Sequence, residues 1–348
     1  MYTDVHWLLS ALFIVGGLVA LAWSSDAFVD GAAAVARKIG ISPFIVGMVI
    51  IGFGTCAPEF LVSVFSGLSG HSNLSLGNAY GSCVFNIMGV LGVAALVRPL
   101  PVKPIISLIA APLLTVTAVL SLFVLADSGE NTLTRAEALA LLGVFAVAMP
   151  FYCWLDQRSK LFGGPAASVG SRRRRGAAAA AAAEDSALKV VFNLVAGLSV
   201  MIAASHFLVW GSVDAARAMG VSELVIGLTI VAIGTSVPEL ASAVVAARKG
   251  EAELVLGNIV GSNLFNALVV VGTAGALSPD PVSGFSGYVL LRDLPLLIAV
   301  SASLFLFGFN WSRWNKRGVI HRPEAALWIV GFIVYMIVMV CQEISRNG

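Results

Sequence analysis

Ten long apolar runs, separated by short polar breaks, account for most of the chain. They cover roughly 6–24, 41–67, 73–97, 104–126, 134–155, 188–210, 221–247, 252–277, 287–310 and 323–344. Most match the ~20 residues that an α-helix needs to cross a bilayer. In lipid each spanning segment must satisfy its own backbone, so long continuous runs predict helices rather than barrel strands. The first run, Trp7 to about Trp23, follows Asp4 instead of a basic stretch, and is expected to stay as a spanning helix rather than be cleaved. The pattern predicts an all-α polytopic membrane protein of ten transmembrane helices.

The pattern lapses once, between the fifth and sixth runs. Residues 156–187 hold Gly163-Gly164-Pro165, Arg172 to Arg175, an alanine run and Glu184-Asp185. This reads as a solvated low-complexity linker between two five-helix halves, 1–155 and 188–348. Its arginines suit anionic lipid better than nucleic acid.

The halves repeat each other. Residues 40–86 and 220–266 align without a gap at an offset of 180, with 18 identities. Each copy carries Gly-Thr-x-x-Pro-Glu, at 54–59 and 234–239, then Gly-Asn-x-x-Gly-Ser-x-x-Phe-Asn, at 77–86 and 257–266. Assigning the loops alternately places 17 Lys and Arg on the side of the linker and four on the other. Basic residues accumulate in the cytoplasm, so the linker is expected inside and both termini outside. An offset of five spans is odd, so the second half crosses the bilayer inverted. The expected architecture is two inverted-topology five-helix repeats, with a site near the midplane.

Composition agrees with a bilayer: 58% hydrophobic and 11% charged, mean hydropathy +0.93, where soluble domains carry about 25% charge. A net charge of +2 says little about partners. Cys56, Cys83, Cys153 and Cys341 show no metal-finger spacing and read as small buried hydrophobes.

Of 19 acidic residues, only Glu59 and Glu239 fall deep within predicted spans, and no Lys or Arg is predicted at their depth. Two unpaired carboxylates in a membrane are costly unless a cation compensates them. Their charge matches one divalent or two monovalent ions. Pro58 and Pro238 lack an amide hydrogen and leave carbonyls of the preceding turn available. Thr55, Thr235, Ser236, Ser82, Ser262, Asn86 and Asn266 add neutral oxygens, and oxygen donors suit sodium and calcium. Asn78, Ser82 and Asn86, like Asn258, Ser262 and Asn266, recur every four residues and tend to one helix face. Helix–helix packing would explain that stripe, but not the glutamates.

The paired motifs resemble the α-repeats of sodium/calcium exchangers, in the calcium:cation antiporter superfamily, and the ten-span layout extends the resemblance to nearly the whole chain. The resemblance implies that Glu59 and Glu239 are shared by calcium and sodium. It further implies carbonyl and hydroxyl oxygens from Thr55 and Thr235, and hydroxyl ligands, mostly for sodium, from Ser82, Ser236 and Ser262. Asn86 and Asn266 would sit at the centre, with the first and sixth spans sliding as a gating pair. Cys56 departs from the usual serine: the change is neutral, or it leaves one sodium position weaker or reliant on carbonyls, or it admits softer ions such as manganese or cadmium. Asn266 stands where potassium-dependent relatives carry aspartate, so potassium co-transport is not expected. The short linker leaves no room for regulatory calcium-binding domains.

The expected function is sodium/calcium antiport in a prokaryotic inner membrane. No resident cofactor and no obligatory protein partner are expected beyond the two ions and the lipid bilayer. No ATP-binding loop of the Gly-x-x-x-x-Gly-Lys-Ser/Thr type is present. The alternatives are a proton/calcium antiporter, in which protonation of the glutamates displaces calcium, and, from another class, a cation channel. No carbonyl-filter motif supports a channel. An intramembrane hydrolase would want an acid–base pair and a water or nucleophile, and the Ser, Thr and Asn neighbours suit coordination better.

Overall fold

The computed structural model describes residues 2–70, 72–126, 132–162, 186–220, 226, 230, 232–282, 289–311 and 318–347, and they are nearly all helical. We label the helices α1 (Tyr2–Ile39), α2 (Pro43–Thr55), α3 (Ala57–Leu68), α4 (Ser75–Val97), α5 (Ile106–Ala126), α6 (Arg135–Leu155), α7 (Ala187–Ala218), α8 (Val237–Lys249), α9 (Ala252–Leu277), α10 (Val289–Gly308) and α11 (Arg322–Gln342). Among the described residues, eight helices are long and apolar enough to span a membrane. The pair α2–α3, bent by 49°, passes the same test jointly and gives a ninth when counted as one broken span. The remaining predicted run, 221–247, lies partly outside the described residues and is represented by α8 and the turn before it. The linker arginines, Arg172 to Arg175, also lie outside them.

One boundary differs from expectation. The first apolar run stops near residue 24, yet α1 continues to Ile39. Hydropathy marks where lipid ends, whereas a helix ends where its backbone is interrupted. Asp26, Asp30 and an alanine-rich stretch are compatible with helix, and the stop is Gly40, at φ +73°. Its repeat equivalent Gly220 (φ +78°) ends α7, and Gly70 (φ +72°) and Gly250 (φ +80°) form a second equivalent pair. The inverted repeat thus places its helix stops at matching positions.

The repeat reaches beyond the aligned motifs. α1 and α7 pack along each other in antiparallel fashion. A Cβ on Gly17 would meet Leu208 at 3.0 Å and one on Gly31 would meet Leu194 at 2.9 Å. One on Gly197 would meet Phe28 at 2.9 Å and one on Gly211 would meet Ser10 at 2.9 Å. Gly17 with Gly197, and Gly31 with Gly211, are again 180 apart. In lipid, helices gain little from excluding water from each other, so small residues that let backbones touch carry the association.

α4 and α9 form the centre: 78% and 89% of their most apolar windows are buried, against 28% for α1 and 22% for α7. α2 packs on α9, α10 on α5, α6 on the end of α9, and α11 on the end of α4. The two ends of the bundle close in related ways. On one, strands β1 (Leu100–Val102) and β2 (Gly318–Ile320) pair antiparallel, Leu100 opposite Ile320. On the other, Leu133 and Val282 exchange backbone hydrogen bonds of 2.8 and 3.0 Å.

Lys249, at the end of α8, reaches Asp26 at 2.8 Å and Asp30 at 2.7 Å, tying α1 to the second repeat on the linker side. Both aspartates are more than half exposed, so the pairs are worth roughly 0–1 kcal/mol each. We expect Lys249→Met to lower the unfolding midpoint in detergent by only about 1–3 °C. The difference should shrink in high salt.

Candidate cation site

The bend between α2 and α3 has local causes. Pro58 cannot donate to the residue one turn back, Gly54, and Pro238 does the same to Gly234. Thr55 Oγ1 turns back to Ile51 O at 3.0 Å, a contact that also bends helices. The chain therefore breaks at Cys56 before α3, and at Thr235–Ser236 before α8. Each break places a Glu in the first turn of the helix that follows, Glu59 and Glu239. Both are fully buried, as are Thr55, Ser236, Ser262, Asn86 and Asn266. Ser82 is buried too, and Thr235 is half-buried.

Hydrogen bonds cross between the repeats. Ser236 Oγ donates to Glu59 Oε1 at 3.1 Å and lies 3.2 Å from Ser82 Oγ. Its equivalent, Cys56, directs its Sγ to Glu239 Oε1 at 3.4 Å. Thr235 likewise approaches Glu59, whereas the Thr55 hydroxyl is bonded to Ile51 O in its own repeat. Each carboxylate is therefore held by the break of the opposite repeat, and the two come together at the seam. The same crossing recurs one helix away, where Cys83 and its equivalent Asn263 each contact the other's backbone carbonyl, at 3.6 and 3.2 Å.

Several polar atoms here have no hydrogen-bond partner among the described residues: Oε2 of Glu59 and of Glu239, and both side-chain amide atoms of Asn86 and of Asn266. A buried polar atom left unpaired costs about 1–3 kcal/mol, so such atoms gathered in one place suit a ligand. Asn86 opens a π turn, Asn86–Leu91, and Asn266 lies in its counterpart, Phe265–Val270; interruptions of this kind frequently mark functional positions. The described ion pairs, Lys103–Glu253, Lys249 with Asp26 and Asp30, and Arg292–Asp293, all lie toward helix ends and involve neither glutamate. Among the described residues, no three His, Cys, Asp or Glu side chains gather as a metal-binding group. The donors gathered here are mainly oxygens, which suit hard cations.

Sequence reading missed three supports. Asn258 Nδ2 holds the Glu239 carbonyl at 3.4 Å and Ser242 Oγ at 3.2 Å, while its Oδ1 accepts from Ser262 Oγ at 3.3 Å. Ser205 on α7 donates to Gly234 O, the carbonyl that Pro238 leaves without its helical donor, at 3.0 Å. Gly47, Gly52, Gly257 and Gly261 bring α2 and α9 into backbone contact beside the site. The offset of 180 was the available signal for Ser205, since Ser25 is its equivalent.

Inverted repeats meeting at buried breaks in paired helices define a secondary transporter of the membrane. A family model described as sodium/calcium exchanger protein matches residues 9–154 and 189–341, and the chain belongs to that family. CaxA of Alkalimonas amylolytica is 35% identical over 94% of this chain and 98% of its own. The sodium/calcium exchanger MaX1 of Methanosarcina acetivorans is 29% identical over 94% and 97%. A solved structure of the sodium-calcium exchanger NCX_Mj, soaked with sodium and strontium, is similar at a TM-score of 0.74. It is 25% identical, over 94% of this chain and 98% of that one. The chain is a multi-pass membrane transporter rather than an enzyme.

Proposed function

We propose that this protein exchanges sodium for calcium by alternating access, with Glu59 and Glu239 as the carboxylates that the two ions share in turn. The observation that carries this reading is the crossed pair: two buried carboxylates, each held by the opposite repeat, each with one oxygen unpartnered. Thr55, Thr235, Ser82, Ser236, Ser262, Asn86 and Asn266 supply the neutral oxygens. Two negative charges are balanced by one calcium or two sodium ions, whereas one sodium alone leaves a buried charge uncompensated. Competition for the same oxygens couples the fluxes without ATP.

The loop charges support a cell-membrane orientation with the linker inside and both termini outside; a relative in Escherichia coli, YrbG, 32% identical over 94% of this chain, is named as an inner membrane protein. Cys56 replaces an oxygen with sulfur on the Glu239 side only, so the Glu59 side, with Ser236 and Ser82, is the better sodium position.

The test is calcium-45 uptake into proteoliposomes loaded with sodium, potassium or protons in parallel. Sodium-loaded vesicles are expected to accumulate calcium at least tenfold faster than the others. Equal uptake driven by a pH gradient without sodium would replace this reading with proton/calcium antiport, and flux that neither saturates nor requires a counter-ion would favour a channel.

A further inference from the structure

The two breaks are equivalent in sequence but are not held alike. At the second, Ser205 of α7 donates to Gly234 O at 3.0 Å. At the first, the equivalent residue is Ser25 of α1 and the equivalent carbonyl is that of Gly54. Ser25 instead turns back along its own helix to Leu21 O at 2.6 Å, with Met201 Sδ at 3.3 Å. Both serines are buried. Met201, which Ser25 touches, is itself the repeat equivalent of Leu21. The α1–α7 pair therefore grips one break and leaves the other ungripped, although the sequence supplies a hydroxyl for both.

We propose that Ser25 and Ser205 form a reciprocal switch. In the conformation described, Ser205 holds Gly234 and Ser25 is satisfied by the carbonyl one turn back. In the opposite-facing conformation the roles exchange: Ser25 holds Gly54, and Ser205 turns back to Met201 O. Neither hydroxyl loses a hydrogen bond overall, so the exchange adds little to the energy difference between end states. It does assign one serine to each. The inverted repeat requires this form, because the two-fold relation that exchanges the halves also exchanges the serines. The serines are positioning residues: each acts on an ion-site turn through a backbone carbonyl. The inference rests on the alternating-access reading above, and it holds whichever ion drives calcium.

The experiment compares Ser205→Ala, Ser25→Ala and the double variant in proteoliposomes. It reads the ratio of calcium half-saturation concentrations at the two faces, since the apparent affinity at a face follows the population of the state open to it. Each alanine removes, from one state, the bond to a carbonyl that proline leaves without its helical donor, and from the other only a second bond to a carbonyl already paired within its helix, so the ratio should shift by up to about fivefold. Ser205→Ala should shift it one way, Ser25→Ala the other way by a similar factor, and the double variant should return to within about twofold of wild type. Shifts of the same sign, or no shift in either single variant, would overturn the switch. A purely structural role would lower flux without opposite signs.

If a variant carries no flux, hydrogen–deuterium exchange in detergent decides. Ser205→Ala should speed exchange around 232–236 and slow it around 52–56, and Ser25→Ala should do the reverse. The same response in both variants would sink the proposal. Wild-type vesicles without counter-ion-driven calcium uptake would instead refute the functional reading, leaving the exchange measurement to judge the serines alone.

Discussion

Glu239→Gln protein reconstituted into liposomes will take up calcium at least about a hundredfold more slowly than wild type while remaining folded. The substitution keeps the shape of the side chain, and its Oε1 still accepts from the Cys56 thiol, which lies 3.4 Å away. It removes one of the two charges set against a divalent ion in a fully buried place. Removing one partner of a buried charge pair costs about 3–5 kcal/mol, and each 1.4 kcal/mol is roughly tenfold in affinity. The unliganded protein gains at the same time, because an unpaired carboxylate is harder to bury than an amide. Thermal unfolding should therefore show an unchanged or raised midpoint without calcium. The calcium-dependent rise expected of wild type, about 2.7 kcal/mol at a hundred times Kd, should be missing. A variant that unfolds early would make Glu239 structural; one that keeps calcium uptake within threefold of wild type would remove it from the site.

The second large effect concerns packing. Gly261→Val will lower the unfolding midpoint by about 5 °C or more and abolish transport. A Cβ at Gly261 would collide with the Met48 carbonyl oxygen, and one at Gly257 would collide with that of Phe44. These are backbone atoms, so no side-chain rotation relieves them, and overpacking of this kind costs about 1–3 kcal/mol or more. The damage reaches the site directly. Ser262 adjoins Gly261, and its hydroxyl reaches Gly52 O at 3.3 Å; parting α2 from α9 breaks that link beside the Glu59 turn. Gly143→Ala is the control, since a Cβ there meets nothing within 4 Å among the described residues. Alanine at an open helix position should be neutral or stabilising by up to about 1 kcal/mol. Equal effects at both positions, measured by thermal unfolding and calcium uptake, would argue against backbone contact as the cause.

Much of this was legible in the sequence for physical reasons. Apolar runs long enough to span lipid are hard to confuse with anything else. Two midspan glutamates without predicted basic partners stand out because such positions are expensive. The inversion followed from an odd span offset and the loop charges. Other features were hidden. The alignment stops at residue 40, yet the repeat continues through Gly17 and Gly197, Ser25 and Ser205, and Gly31 and Gly211. Lipid-facing positions between them vary freely, so a few shared contacts are diluted below notice. The crossing of Ser236 to Glu59 and Cys56 to Glu239 could not be read at all. Spacing along one chain says which residues share a face, not which repeat they reach. The length of α1 was missed because hydropathy reports the solvent and not the backbone.

The antiparallel seam between α1 and α7 has an electrical consequence. Each helix carries a dipole equivalent to about half a charge at either end, and in this pair the two dipoles oppose each other and largely cancel. The side-chain charges of the two helices also balance: Asp4, Asp26, Asp30 and Asp214 against Arg37, Lys38, Lys189 and Arg217. In the proposed exchange cycle, sliding of this pair as one body would therefore move almost no net charge through the membrane. The potential across the bilayer would then have little hold on such a gate, and would act instead on the cations that the proposed ligands Glu59 and Glu239 have or have not accepted. The voltage sensitivity of turnover becomes a measure of how many ions ride in each direction.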